Sequence, residues 1–387
     1  MKRIAFIINF NPQKWLGGFN YIYNLIYFLH KYKVKTIEPV IITNNIKYVS
    51  KPYNIPKTKI LVSNLVSKNN TIKNIFDKLQ IIIFGKNILL EKFLLNNNIY
   101  AISHIGFTGK KSKIKSFAWF PDFQEIHLPD NFSFKSRLFR LINLKLAEKN
   151  STNLLISSKS VLNDLKKIKK KLTKKAILIK HAINIPKISS FKKSEKILKK
   201  YNLNKNYFFL PNHLWKHKNH IVVLKALNYL KNKTNFNIVA TGFFEDHRNP
   251  EHSSYIKEYI KKNDLNKNFI HLGVVPIEDM ISLMLRSIAL INPSKSEGWS
   301  NTVEQAKSLG KKVILSNIPT HKEQIANNFF YFKSNSYIEL ANILLRLSRN
   351  FKKPSNFKKN FKSYKQYKPK QKKFVLDYEK IFRNDAN

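Results

Sequence analysis

Short apolar runs of strand length alternate with segments whose apolar residues recur at helical spacing, and this alternation passes through the chain twice. The first series predicts strands at Arg3–Phe10, Pro39–Thr43, Lys59–Val62, Ala101–Phe107, Ser116–Asp122, Asn153–Ser158 and Ala176–Lys180. Helical patterns fall between them at Phe19–Tyr32, Ile72–Leu95 (with a break near Gly85), Phe134–Lys149 and Lys159–Lys171. Pro186–Ser194 reads as a linker. The second series predicts strands at Tyr207–Leu210, Asn237–Thr241, Phe269–Leu272, Ser287–Ile291, Val313–Ser316 and Phe329–Phe332. Its helices are expected from near Lys218, then at His252–Asn263, Ile277–Arg286, Thr320–Asn327 and Tyr337–Arg349. The Lys-rich stretch Phe351–Lys373 reads as solvated, and a last helical pattern covers Phe374–Phe382. Strands alternating with helices, twice over, predict an α/β protein of two doubly wound domains facing each other across a cleft.

The most informative stretch is Asn292–Gly310, N-P-S-K-S-E-G-W-S-N-T-V-E-Q-A-K-S-L-G. It joins the apolar run Ser287–Ile291 to the run Lys311–Asn317 through a polar turn and a helix. Asn301 is placed to cap that helix, with Glu304 three residues on as in a capping box, and Gly310 to end it. Two carboxylates, Glu297 and Glu304, thus lie beyond the carboxyl end of a strand, where ligands bind in open α/β sheets. The helix start adds N–H donors and a positive dipole end suited to phosphate.

Composition sets outer limits. A length of 387 residues suits two domains, and 43% hydrophobic residues supply real cores. Without Cys there is neither a disulfide nor a thiolate metal site. The N-terminal M-K-R-I-A-F-I-I-N-F is too short an apolar run for a signal peptide and reads as a first strand, so a cytoplasmic protein is expected. No run approaches 18 apolar residues; the nearest, Leu79–Leu95, is broken by Gly85, Lys86, Asn87, Glu91 and Lys92. The formal charge of +48 raises nucleic acid and anionic membrane as partners. The excess is almost all Lys, with only eight Arg, and it is spread along a chain also rich in Asn and Ile. That pattern fits an A/T-biased coding sequence, with attraction to anionic lipid as a by-product.

Several chemistries find no motif here: there is no P-loop, no His-Glu-x-x-His, no Gly-x-Ser-x-Gly, no Gly-x-Gly-x-x-Gly and no Asp-x-Asp. What remains shares one theme. His213, Lys216, His217 and Lys218 follow the first strand of the second series, and Glu297 with the turn Gly298, Ser300, Asn301 and Thr302 follows a later one. Together they suit a diphosphate and a polyhydroxy group, with Lys218 as a point charge on phosphate. In the first series Gly17 and Gly18 form a strand-to-helix loop that can approach a phosphate or simply turn tightly. His104 and Asp122 stand at strand ends, and each can equally serve packing or chemistry.

E-G-W-S-N-T-V-E-Q-A-K-S-L-G followed by S-N-I-P-T-H-K-E-Q resembles the donor-site signature of glycosyltransferase family 4, two-domain enzymes of the GT-B fold. W-F-P-D-F-Q-E-I-H-L-P and W-K-H-K-N-H resemble members that build bacterial surface polysaccharides. The resemblance implies a GT-B fold of two Rossmann-like domains, with an acceptor-side domain over 1–187, a donor-binding domain over 188–364 and a C-terminal helix (365–387) crossing back to the first. It implies a retaining hexosyltransferase that carries a hexose-type sugar from a nucleotide-diphosphate sugar to a glycan or lipid-linked glycan of the O-antigen, capsule or lipopolysaccharide type. No cofactor or obligatory metal is implied, contact with the inner face of an anionic membrane is expected, and a specific nucleic-acid partner is not. Glu297 matches the first glutamate of the family's pair, near the donor sugar. The usual spacing of the second, on the ribose, lands on Gln305; Glu304, one residue earlier, is assigned the role. Lys218 matches the phosphate-binding lysine, His213 stands where an arginine is usual, and Gly17 and Gly18 match the first-domain phosphate loop. Asp122 falls where many members have His-Asp, with Pro121 in place of that histidine, so the acceptor-side residue lies between Asp122 and His104. Alternatives from other classes are a sugar-nucleotide epimerase of the same fold, an inactive scaffold and a basic nucleic-acid-binding protein.

Overall fold

The computed structural model describes residues 1–383 other than 51–54, 56, 68–70, 187–190, 232, 234, 325–328, 353 and 355. The chain divides into two compact units, one of Met1–Phe123, Phe134–Asn184 and Pro369–Asn387, the other of Gln124–Ser133 and Ile185–Lys368. The domain boundary expected between 187 and 188 lies outside the described residues, as do residues 187–190 of the expected linker. Its last residues begin a helix, Phe191–Lys200.

The first unit is built on seven strands: β1 (Lys2–Ile7), β2 (Ile37–Thr43), β3 (Lys59–Val62), β4 (Ile99–His104), β5 (Lys115–Phe120), β6 (Asn153–Ile156) and β7 (Ala176–Leu178). They lie in the order β3-β2-β1-β4-β5-β6-β7, every pair parallel. The central strands read as unbroken apolar runs because both faces are covered, and Ile4, Ala5, Phe6, Ile41 and Ile102 are fully buried. The order reverses between β1 and β4, which opens a crevice at their carboxyl ends. The helix after β1 runs Leu16–Lys31 and so starts earlier than its periodicity predicts. A one-turn 3-10 segment, Pro12–Trp15, leads into it, capped by Asn11, whose Oδ1 accepts from the N–H of Gln13 at 2.9 Å. The helical stretch before β4 is split into Thr71–Phe84 and Ile88–Asn96, and Gly85 at φ +74° makes the break.

The second unit holds six parallel strands: β8 (Asn206–Leu210), β9 (Phe236–Ala240), β10 (Phe269–His271), β11 (Leu290–Asn292), β12 (Val313–Ser316) and β13 (Phe329–Phe332). Their order is β10-β9-β8-β11-β12-β13, the arrangement of a dinucleotide-binding sheet, with its reversal between β8 and β11. Phe208, Leu210, Val223, Leu227, Ile238, Ile291 and Leu344 pack its core. β11 starts three residues later than the apolar run suggested. Ser287 instead closes the helix Ile277–Arg286, its N–H donating to Leu283 O (3.0 Å) and its hydroxyl to Met284 O (2.8 Å). The helix expected at Thr320–Asn327 spans Pro319–Glu323, and its expected end falls outside the described residues.

The C-terminal region differs most from its sequence pattern. Much of the stretch expected to be solvated belongs to one helix, Lys358–Arg383, that continues through Pro369. Its buried stripe is Tyr367, Gln371, Phe374, Tyr378 and Phe382, so the apolar periodicity is interrupted by a buried glutamine. Gln371 Nε2 donates to Ile183 O (2.9 Å) and its Oε1 accepts from Lys31 Nζ (3.1 Å). A polar residue in the core stripe hides that turn of helix from a pattern reader.

Candidate active site

The loops after β8 and β11 flank the strand-order reversal of the second unit, and one asparagine stitches them together. Asn219 ends the 3-10 turn Lys216–Lys218 in the left-handed region (φ 58°), a conformation that asparagine tolerates better than most residues. Its buried Nδ2 donates to Pro293 O at 3.0 Å and Ser334 O at 2.8 Å. The N–H of Lys295 donates to His217 O at 2.8 Å. This frame brings Lys218 and Glu297 together: Lys218 Nζ donates to Glu297 Oε1 at 2.5 Å, with only 16% and 7% of the two side chains exposed. Thr320 fixes the turn below, its hydroxyl donating to Glu297 O at 2.6 Å. Burial by itself would raise the Glu297 carboxyl. The Lys218 charge, His321 and hydrogen bonds from Lys218 and Ser294 outweigh it and hold the group below its ordinary value, so it is ionised at neutral pH.

Behind the pair a polar chain leads to the next helix. The Ser294 hydroxyl lies 2.7 Å from both Glu297 Oε1 and Asn292 Oδ1, two acceptors for one proton. Asn292 Nδ2 donates to Ser300 Oγ at 2.8 Å. Ser300, not Asn301, caps the helix Asn301–Ser308, its hydroxyl accepting from the N–H of Val303 at 3.4 Å. Gln324 clasps the cap from outside, its Oε1 accepting from the N–H of Ser300 and its Nε2 donating to Ser300 O, both at 3.1 Å. The Ser300 N–H is therefore committed within the protein, and Asn301 and Thr302 supply the first-turn amides. Glu304 closes no capping box. Its Oε1 accepts from Lys307 and from Gln324 Nε2 (3.3 Å), and its Oε2 accepts from the Tyr367 hydroxyl at 2.7 Å. The neighbouring Gln305 is also buried, and its Oε1 has no hydrogen-bond partner among the described residues.

The remaining polar groups of the β8 loop are packed by aromatic and cationic neighbours. His213 Nδ1 accepts from the N–H of Phe243 at 2.9 Å, and its ring lies 5.0 Å from Trp215. Burial, then repulsion from Lys218 and His247, pushes His213 down to about 4, so it is a neutral acceptor. Gly242 makes this approach possible: a Cβ there would lie 2.8 Å from the backbone nitrogen of His213. Arg248, which the sequence did not single out, places a guanidinium nitrogen 3.1 Å from His217 Nδ1 and its plane over the rings of Trp215 and Phe132. Asn219, Asn292, Ser294, Gln324, Tyr367 and Arg248 are the site's unanticipated members. Asn219 and Gln324 lie inside W-K-H-K-N-H and T-H-K-E-Q, where the motif was visible but the role was not.

The first unit treats its own candidates differently. His104 ends β4 at φ +74° and is buried among Phe6, Tyr21, Trp119 and Tyr378, ring centroids 5.0–5.9 Å away. Its Nδ1 lies 2.8 Å from Ser103 Oγ, and burial pushes its pKa down to about 3. Asp122 is half-buried, and its carboxylate and carbonyl both accept from Arg140, at 3.1 and 3.2 Å. Gly17 and Gly18 occupy the first turn of the helix Leu16–Lys31. Gly18 has a packing reason of its own, because a Cβ would meet the Trp15 ring at 2.4 Å.

Residues 191–364 match the family model described as Glycosyl transferases group 1. An uncharacterized glycosyltransferase of Methanocaldococcus jannaschii is 27% identical over 218 residues, covering 54% of this chain and 53% of the relative. The O-antigen chain mannosyltransferase RfbU of Salmonella typhimurium is 25% identical over 214 residues, covering 54% of each. These matches span about half the length of both relatives. The crystal structure of Anabaena HepE in complex with UDP and glucose superposes with a TM-score of 0.73 at 14% identity, covering 99% of this chain and 100% of that one. The fold is that of the GT-B glycosyltransferases.

Proposed function

We propose, proceeding from the match of residues 191–364 to the family model described as Glycosyl transferases group 1, that this chain moves a hexose-type sugar from a nucleotide-diphosphate sugar to a surface glycan or lipid-linked glycan, with retention at the anomeric carbon. The observation that carries the reading is the buried Lys218–Glu297 pair at the strand-order reversal, beside the first turn of the helix Asn301–Ser308. Lys218 serves as a point charge on the donor diphosphate, aided by the amides of Asn301 and Thr302 and the positive helix end. Glu297, ionised and fixed, accepts hydrogen bonds from sugar hydroxyls. The anomeric C–O bond to phosphate breaks as the acceptor oxygen bonds on the same face, and the acceptor proton passes to the departing phosphate. Catalysis is then electrostatic positioning, for which a strong protein base is not needed. Charge on the diphosphate is met by Lys218 and the amides, without an obligatory metal.

The ribose contact moves in this reading from Glu304 to Gln305. Both oxygens of Glu304 are taken by Lys307, Gln324 and Tyr367, so Glu304 holds the helix start in place, while the buried Gln305 Oε1, without a hydrogen-bond partner among the described residues, is assigned the ribose contact. The relatives suggest the substrates: HepE is seen with UDP and glucose, and RfbU is an O-antigen chain mannosyltransferase. The test is thermal-shift screening of the full chain against UDP, GDP and their hexose conjugates. A nucleotide-dependent rise in melting temperature, lost in Lys218→Gln, is expected, and no response to any nucleoside diphosphate overturns the reading. Conversion of the donor to an isomeric nucleotide sugar without acceptor would identify an epimerase instead.

A further inference from the structure

At the β1/β4 crevice of the first unit, three buried side chains form a line of hydrogen bonds whose proton positions can be worked out. Tyr378, on the helix Lys358–Arg383, donates its hydroxyl proton to Ser103 Oγ at 2.7 Å. Ser103 has one proton of its own to place, and among the described residues its hydroxyl has one further partner, His104 Nδ1, at 2.8 Å. Nδ1 therefore accepts, and a neutral imidazole whose Nδ1 is bare carries its proton on Nε2. The reverse arrangement, with Nδ1–H donating, would aim two protons at Ser103 Oγ and strand the proton of the serine. The ring is neutral because burial pushes its pKa down to about 3, with no charged neighbour among the described residues contributing.

The proton so placed has no acceptor within the fold. His104 is 3% exposed, and its Nε2 has no partner among the described residues. The Tyr21 hydroxyl has none there either; that residue is 1% exposed and its ring centroid lies 5.0 Å from that of His104. A buried donor without a partner carries the full cost of its desolvation, so two on adjoining rings call for an acceptor from outside. The surroundings limit what that acceptor is. Tyr21, Trp119 and Trp15 form a continuous stack, with 4.5 and 5.6 Å between successive centroids. Trp15 and Trp119 are partly exposed, and the Trp119 N–H is spent on Ser157 Oγ at 3.1 Å, so Trp119 offers a ring face rather than a polar edge. Aromatic faces beside uncharged donors match the C–H faces and hydroxyls of a sugar ring, whereas an anion would call for a cation near His104. We propose that Tyr378 and Ser103 are positioning residues that lock His104 as an uncharged Nε2–H donor to a hydroxyl oxygen of a neutral sugar in the first unit's crevice. So locked, His104 cannot be the base that takes a proton from an attacking hydroxyl, because Nε2 already carries a proton and Nδ1 is held by Ser103. That the guest is a sugar rests on the glycosyl-transfer reading; the lock itself does not.

The test is nuclear magnetic resonance of the full chain labelled with nitrogen-15 in histidine, where long-range proton–nitrogen correlations tell a protonated ring nitrogen from a bare one. The His104 signals are those missing from His104→Phe. A protonated Nε2 and a bare Nδ1 are expected at pH 7 and at pH 5 alike. Tyr378→Phe and Ser103→Ala should each show the Nδ1-protonated form as a second species. Phe382→Leu disturbs the same helix where it packs on Phe117 and Tyr378, but leaves the three hydrogen-bonding groups in place, and should not show it. Glucose or mannose should shift the Nε2 resonance of the wild type, with no comparable shift at exposed His30 and none from acetate. In Tyr378→Phe the apparent affinity for the hexose should fall about twofold or more, in step with the Nε2–H fraction read from the same spectra. Four results overturn the proposal: a bare Nε2 in the wild type, an unchanged tautomer in Tyr378→Phe or Ser103→Ala, an equal change in Phe382→Leu, or no hexose response at His104. Failure of the glycosyl-transfer reading shows elsewhere, as a melting temperature that no nucleoside diphosphate moves; a hexose response at His104 without that shift would keep the locked donor and remove the transfer.

Discussion

At the β1/β4 reversal of the first unit a histidine sits among four rings, and at the β8/β11 reversal of the second a lysine and a glutamate sit in a hydrogen-bonded frame. The two sheets share their topology around the reversal: in each, the first strand of the series lies between the second and the fourth. What differs is how polarity is handled there. In the second unit every step from Lys218 to Tyr367 is a donor–acceptor contact, so burial can coexist with charge. In the first unit His104 has one hydrogen-bond partner among the described residues, Ser103, whose hydroxyl also accepts from Tyr378 at 2.7 Å, and its Nε2 has none there. Topology supplies a crevice, and the side chains decide whether it suits an anion or a neutral group.

The sharpest way to break this comparison is to remove one charge from the second reversal. Lys218→Met leaves Glu297 buried and unpaired, and a loss of about 3 kcal/mol in unfolding free energy is expected by urea denaturation. Lys218→Met/Glu297→Gln should recover a good part of that loss, although neither variant should turn over a nucleotide sugar. Equal stability of the single and double variants would mean that the pair does not organise this region.

Backbone geometry offers a second contrast. Gly242 and Gly106 both have positive φ, +124° and +83°. An added Cβ at Gly242 meets His213 backbone at 2.8 Å, whereas at Gly106 the nearest atom is 3.8 Å away. Gly242→Ala should therefore cost about 2–3 kcal/mol through strain and overlap, and Gly106→Ala about 1 kcal/mol through its dihedral alone. Similar losses at the two sites would show that the β8 loop can yield.

Acid acts on both regions, since His213 and His321 of the second are also held neutral by burial, at about 4, and the first region's share can be isolated at one residue. His104 is held neutral by burial, with its pKa pushed down to about 3, below the ordinary value that it regains on unfolding. Its contribution is intact above about pH 6.5 and is lost as pH falls, because only the unfolded chain takes up the proton; between pH 6.5 and 5 the loss is about 2 kcal/mol. His104→Phe, a ring among rings, should be nearly as stable at pH 7 and lose less on acidification. Comparing urea midpoints at pH 7 and pH 5 checks this, and an unchanged acid slope would remove His104 as its source.

The smallest effect concerns the helix start. Ser300→Ala should cost about 1 kcal/mol, the value of a capping side chain, while Asn301→Ala should change stability by less than about 0.5 kcal/mol. The reverse ranking, read from melting temperatures, would restore Asn301 as the cap.

The sequence by itself determined the α/β class and the two series of strands, and it singled out Lys218 and Glu297 as separate candidates for one site, because buried strands, helix punctuation and short motifs are local signals. It misread elements whose reason is distant. Glu304 reads as a capping-box partner but answers Tyr367, and Gln371 hides a helical stripe that only its partners Ile183 and Lys31 justify. Only the tertiary structure decided which strand ends adjoin, and so that residues 218 and 297 meet at a reversal framed by Asn219. It also decided that one side of the helix Phe134–Asn150 is left bare, since a periodicity shows that a face exists but not which face is covered. The physical reason is common to both: hydrogen bonds and burial depend on what the chain brings close in space, and those partners lie tens to hundreds of residues away.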